Sequence, residues 1–143
     1  MRIQSILSNK GSEVITVSPD TTVRDAVALL CEKRIGAVVV LGEDRMIDGI
    51  FSERDLIRTI NQDGPKILDW PVGNLMTREV QTCTRFDAVI DVMGLMTRRR
   101  FRHIPVVEQG KLIGLVSIGD MVAARIKDAE TEAEALKEYI ATG

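Results

Sequence analysis

The apolar residues of this chain fall into a pattern that occurs twice. In the first copy, Val14, Ile15, Thr16 and Val17 form a short run rich in β-branched side chains, which predicts a strand. Pro19 and Asp20 end it, and Thr21 or Thr22 is placed to cap a helix. Val23, Ala26, Val27 and Leu30 then recur at i, i+3, i+4 and i+7, one face of that helix. Residues 36–41 (GAVVVL) read as a buried strand, GEDR as its turn and residues 46–51 (MIDGIF) as the returning strand. A second helix follows Ser52.

The second copy repeats each step. Val89, Val92, Met93 and Met96 carry the helical spacing, HIPVV turns at EQGK and returns as LIGLVS, and a helix follows Ser117. At an offset of 66 residues Thr16 meets Thr82, and Val14, Val23, Asp25, Leu29, Arg34, Val40 and Ile47 meet Val80, Val89, Asp91, Leu95, Arg100, Val106 and Ile113. One residue then drops out, near the junction of hairpin and second strand. Gly49, Ser52 and Asp55 meet Gly114, Ser117 and Asp120. The predicted organisation is a first repeat at 8–62, a linker at 63–75, a second repeat at 76–127 and a helical tail at 128–143. The linker is polar apart from an apolar anchor at Ile67, Leu68 and Trp70. The tail carries Leu136 and Ile140 on one face, suited to packing on its own body or on a second subunit. A single repeat of roughly 60 residues would be marginal alone, so the two are expected to form one unit about a pseudo-twofold axis. The fold class is α/β (α+β), each repeat running β-α-β-β-α.

Composition narrows the function. The chain has 143 residues, 45% apolar but only 3% aromatic, so its core is aliphatic. A net charge of −2 argues against a nucleic-acid or acidic-membrane binder. No apolar run is long enough to span a bilayer, and MRIQSILSNK lacks the apolar stretch of a signal peptide. A cytoplasmic protein is expected. Cys31 and Cys83 suit a reducing compartment and read as small buried apolar residues. With one histidine, no clustered metal ligands and no phosphate-loop or nucleophile-elbow motif, an enzyme and a metal site are not expected.

The segments Gly49-Ile50-Phe51-Ser52-Glu53-Arg54-Asp55 and Gly114-Leu115-Val116-Ser117-Ile118-Gly119-Asp120, each ending a strand–helix–hairpin pattern, resemble the CBS domain. The lead-in at 72–77 (VGNLMT) and the strand at 102–107 (RHIPVV) are similar to that family too, and the resemblance covers residues 1–127. It implies a stand-alone CBS pair: a non-enzymatic sensor that binds an adenine nucleotide between its repeats, commonly as a flat homodimer, and signals to a protein target. AMP is the first candidate, with ATP, ADP and NAD(H) behind it.

The repeated S-x-x-D has chemistry of its own. A Ser at a helix N-terminus lies beside unpaired amides that suit phosphate, and an Asp one turn on can accept two hydrogen bonds from a ribose diol. The same spacing is also a capping box, and both roles can coexist. The family gives the ribose role to Asp55 and Asp120, with Ser52 and Ser117 beside them. It also places an adenine slot between first and middle strands: Thr16, Val17, Ala37 and Val38 in one site, Thr82, Cys83, His103, Ile104 and Pro105 in the other. Arg102 stands where the first repeat has Gly36, and His103 where it has Ala37. That asymmetry predicts that the Asp120 site, with Arg102 and His103, takes the phosphate better. Arg54 is expected to reach across the central cleft. Arg98, Arg99 and Arg100 read as a solvated helix terminus. A scaffold without nucleotide and a redox-linked regulator of a thioredoxin-type partner are the alternatives.

Overall fold

A computed structural model describes residues 1–11 and 13–142; Ser12, inside the expected first repeat, and Gly143, at the end of the expected tail, lie outside the described residues. The helices are α1 (Ile3–Lys10), α2 (Val23–Lys33), α3 (Glu53–Asp63), α4 (Val89–Arg99) and α5 (Ile118–Thr142). The strands are β1 (Thr16–Val17), β2 (Ala37–Leu41), β3 (Ile47–Ser52), β4 (His103–Glu108) and β5 (Lys111–Ser117). The first sheet has the order β1-β2-β3, with β1 parallel to β2 and β3 antiparallel to it. The second is the antiparallel pair β4-β5. The expected strand around Thr82 is reduced to one parallel bridge from Cys83 to Val106, held by Cys83 N–H to the Pro105 carbonyl and Val107 N–H to the Cys83 carbonyl.

The hairpins fix where the deletion falls. Leu41 pairs with Ile47 across the first turn and Val107 with Leu112 across the second. Ile47 therefore corresponds to Leu112, not Ile113, and the missing residue lies in the turn itself, where length changes least disturb a register. Thr22, rather than Thr21, caps α2 by accepting from the Asp25 amide at 3.2 Å. Helices α2 and α4 both end on an arginine in the left-handed region, Arg34 at φ 55° and Arg100 at φ 58°. There the chain turns sharply into β2 or β4.

Two cores form from matching positions. Val23, Ala26, Leu30, Val38, Val40 and Phe51 fill one, and Val89, Val92, Met96, Ile104, Val106 and Val116 fill the other. The lead-ins complete them. Ile67, Val72, Leu75 and Met76, which lead into the second repeat, are buried in the first core. Ile3 and Ile6 of α1, which precede the first repeat, are buried in the second core. The Ile3 amide donates to the Asp87 carbonyl and the Val89 amide to the Met1 carbonyl, tying α1 to the start of α4. Each repeat is thus clasped by the segment leading into the other. Helix α1 was not expected from the sequence, although Ile3, Ile6 and Leu7 at i, i+3 and i+4 are its signature.

The clasp explains the glycine of each motif. A Cβ on Gly49 would stand 2.7 Å from the Thr77 carbonyl oxygen, and one on Gly114 would stand 2.6 Å from Leu7 Cδ2. Each glycine is the point where the crossing segment touches the returning strand, and Ile50 and Thr77 exchange both backbone hydrogen bonds there (3.0 and 2.8 Å). Helix α5 runs unbroken through residue 127, so the second-repeat helix and the tail are one element.

Candidate functional site

Because the lead-ins cross, each cleft draws on both repeats. The first, about 290 Å³, sets Ser52, Arg54, Asp55 and Arg58 of the first repeat against Thr77, Glu79, Val80 and Gln81 and against Arg100, Phe101, Arg102 and His103. The second, about 340 Å³, sets Ser117 and Asp120 against Lys10, Glu13, Val14 and Ile15 and against Arg34, Ile35, Gly36 and Ala37. Gly36 and His103 line both clefts and mark the seam between them.

This corrects the expected grouping. Arg102 lies with Asp55, not with Asp120, because the S-x-x-D motif of one repeat faces the β-strand start of the other. The asymmetry of Arg102 against Gly36 is real, but it enriches the Asp55 cleft. Arg54 does reach across to the second repeat, where its Nη1 donates to the Arg100 carbonyl at 2.8 Å, yet it too lines the Asp55 cleft. Of the residues expected to form adenine slots, Ala37 and His103 line a cleft and the others do not. Val38, Cys83 and Ile104 belong to the two cores, and Thr16, Val17, Thr82 and Pro105 line neither cleft. The clefts instead use the residues just before β1, 13–15, and their counterparts 79–81. The offset of 66 that pairs Val14 with Val80 and Arg34 with Arg100 carried that signal.

Both motifs are capping pairs. The Ser52 amide and hydroxyl donate to Asp55 Oδ2 at 2.9 and 3.1 Å, and the Asp55 amide donates back to Ser52 Oγ at 3.4 Å. The Ser117 amide donates to Asp120 Oδ2 at 2.9 Å and the Asp120 amide to Ser117 Oγ at 3.1 Å. The first helical amides are also taken: Glu53 N–H donates to the Gly36 carbonyl at 3.1 Å and Ile118 N–H to the Arg102 carbonyl at 2.8 Å. The helix N-termini therefore offer a phosphate fewer donors than the motif alone suggests, and side chains must supply the charge.

The two carboxylates differ in what else holds them. Asp55 has a side chain 3% exposed, and its second oxygen accepts from Arg58 Nη2 at 2.8 Å and Thr77 Oγ1 at 3.0 Å. Thr77 comes from the crossing lead-in, so Asp55 also fastens the clasp. Asp120 is 27% exposed and accepts from Lys10 Nζ at 2.6 Å, a cation delivered by α1. Burial works against ionisation of Asp120, but the Lys10 and Ser117 hydrogen bonds outweigh it and hold the carboxyl below its ordinary value. Burial, then the charges of Lys10 and Arg102, push the His103 imidazole below its ordinary value, against the opposing pull of Glu53 and Asp120. His103 is thus neutral at pH 7, able to donate from one nitrogen and accept at the other.

The cysteines divide. Cys83 is buried, and burial followed by the Asp87 charge pushes its thiol up to about 12, so it is unreactive. Cys31 is exposed, contrary to the expectation that both would be buried. Among the described residues no helix is long and apolar enough to cross a membrane, and no group of three or more His, Cys, Asp or Glu could hold a metal ion.

The CBS domain family model matches residues 7–62 and 72–127, one match per repeat. The chain belongs to the CBS-domain family. The mitochondrial CBS domain-containing protein CBSX3 of Arabidopsis thaliana is 37% identical over 149 residues, spanning 99% of this chain and 72% of that protein. A CBS-domain protein of known structure from Agrobacterium tumefaciens is 41% identical with a TM-score of 0.83, covering 87% of this chain and 92% of that one. A CBS domain protein from Pyrobaculum aerophilum, solved in complex with AMP, is 27% identical with a TM-score of 0.74, covering 84% of this chain and 89% of that one. This chain is therefore a CBS pair, and the two clefts lie between its CBS repeats.

Proposed function

We propose that this CBS pair is a non-enzymatic regulatory module that binds an adenine mononucleotide, AMP first, in the Asp55 cleft and reports its occupancy to a protein target. The observation that carries the proposal is the convergence of Arg100 and Arg102, from one repeat, on the cleft that holds Ser52, Asp55 and Arg58 of the other. Guanidinium groups bind phosphate in a forked geometry with charge-assisted hydrogen bonds. The AMP complex of the Pyrobaculum protein supports an adenine nucleotide as the ligand class. Each cleft, near 300 Å³, has the size of a mononucleotide site. A dinucleotide such as NAD would have to span both across Gly36 and His103.

A ligand that touches both repeats of the pair favours whichever relative position lets both sets of groups reach it, which is how occupancy becomes a signal. The pair is further proposed to act as a homodimer in the reducing cytoplasm, through the outer faces of its repeat helices. Ile57 on α3 and Val122 and Ile126 on α5 are exposed there at 68%, 43% and 55%. Calorimetric titration of the purified chain with AMP, ADP, ATP and NAD tests the ligand, and light scattering tests the dimer. AMP binding that Arg102→Ala weakens supports the reading. Absence of any heat or thermal shift at millimolar nucleotide would leave the scaffold alternative in its place. A redox-linked role has only Cys31 in an accessible position.

A further inference from the structure

Helix α5 carries a second surface that the nucleotide clefts do not use. Met121 is buried and Ala124 and Asp128 are half-buried against the body. On the opposite side Val122, Ile126, Ala129, Ala133, Leu136 and Ile140 follow one another at steps of four, three, four, three and four residues. That is the apolar spacing of a coiled-coil seam. All six are exposed, Ile126 at 55%, Leu136 at 59% and Ile140 at 69%. Every residue from 129 to 142 is exposed, so about 20 Å of helix stands clear of the body.

We infer that this stripe pairs in parallel, in register, with the same stripe on α5 of a second copy of the chain. The flanking charges select the occupant and its direction. The seam places Arg125 and Glu132 on one shoulder and Glu130 and Lys137 on the other. In a parallel pair each residue of the first shoulder meets the residue five positions on, on the second shoulder of the other copy. Arg125 then meets Glu130 and Glu132 meets Lys137, and twofold symmetry makes both contacts twice. The antiparallel register that would stack Ile126 on Leu136 and Ile140 on Val122 sets Glu130 against Glu130 and Glu132 against Glu132. Isoleucines 126 and 140 at one seam position and Leu136 at the other are also the arrangement that favours parallel dimers.

The inference rests on the homodimer proposed above, because a seam this short with alanines at its middle does not hold two chains together alone. It adds the direction: like repeats of the two copies lie side by side. The test is directed disulfide formation in the full chain carrying Cys31→Ser. Under mild oxidation Leu136→Cys is expected to cross-link to itself nearly completely. A mixture of the Ile126→Cys and Leu136→Cys variants should link only like with like. Glu132→Lys is expected to weaken association about tenfold in sedimentation, and adding Lys137→Glu should restore it. Cross-links only between 126 and 136, or a dimer that yields no 136–136 link, would overturn the parallel pairing while leaving the homodimer standing. A wild-type monomer at micromolar concentration would remove both.

Discussion

The two clefts descend from the same repeated pattern, yet each has spent its charge differently. The Asp55 cleft holds its carboxylate shut, bonded on both oxygens and fastened to the crossing lead-in by Thr77, and leaves Arg100 and Arg102 to line the opposite wall. The Asp120 cleft has a partly open carboxylate, but Lys10 sits on it, and Gly36 and Ala37 occupy the places of Arg102 and His103. One cleft has its acid engaged in the fold and its cations facing the cavity. The other has Lys10 engaged with its acid and Arg34 as the counterpart of Arg100, but carries glycine where the first carries Arg102. Occupancy by an anion should therefore follow the guanidinium groups rather than the more accessible aspartate.

The sharpest way to break that comparison is Arg102→Ala. Loss of a charge-assisted phosphate contact is expected to cost about 1.5–3 kcal/mol, roughly 10- to 100-fold in AMP affinity. Asp120→Ala should change it far less, and calorimetric titration of both variants reads the difference. Equal losses would mean that the arginine wall does not choose the site. The reciprocal substitution, Gly36→Arg, should bring measurable anion binding to the Asp120 cleft. The atoms nearest its Cβ would be the flexible Glu53 carboxylate oxygen at 3.0 Å and His103 Cε1 at 3.4 Å, both side-chain atoms that can shift.

The two motif glycines extend the comparison to the clasp. Gly49→Ala drives a Cβ against the Thr77 backbone carbonyl and the Met76 side chain, while Gly114→Ala meets the end of Leu7. A backbone cannot swing aside, and a leucine on a terminal helix can. Gly49→Ala should cost about 1–3 kcal/mol, seen as a lower denaturant midpoint, and Gly114→Ala clearly less. Comparable costs would show that α1 is held as rigidly as the central lead-in.

These particulars show what could be read in advance. The repeat, its paired helices and its hairpin strands were legible because buried positions recur at fixed spacing: Val23 and Val89, or Val40 and Val106, do the same work in both cores. The pairing of motif with strand was not legible. The sequence marks Ile67 as an apolar anchor but not the core that receives it, and the burial of Val72 and Ile6 was not read at all. The crossing of those lead-ins is what moves Arg102 from Asp120 to Asp55. Arg100 was readable as a helix-end charge, and its place on the wall of the Asp55 cleft emerges only in the fold. Cys31 shows the same limit from another side, since apolar neighbours on a helix do not fix which face is covered.

The smallest expected effect concerns the acid-facing cation, and it separates the clefts most finely. Lys10 corresponds to Met76 at the repeat offset, so Lys10→Met removes the cation and installs the residue found at the matching position of the other lead-in. The ion pair is partly exposed, at 37% and 27%, and should be worth less than about 1 kcal/mol at pH 7. Its pH dependence has a definite sign. Asp120 is held below its ordinary value of 3.8, so its contribution is complete above that pH and disappears as the pH falls through the lower folded value. Thermal melts of wild type and variant should thus differ slightly at pH 7 and converge in acid. A gap that persists unchanged in strong acid would show that Lys10 acts through packing instead. His103 supplies the contrast within the same measurement. Its folded value lies below the ordinary 6.5, so acidification through that range protonates the unfolded chain first and lowers stability. Removing Lys10, one of the charges that keeps His103 neutral, should shrink that loss, so the same substitution narrows the neutral-pH side of the profile as it removes the acid-side term.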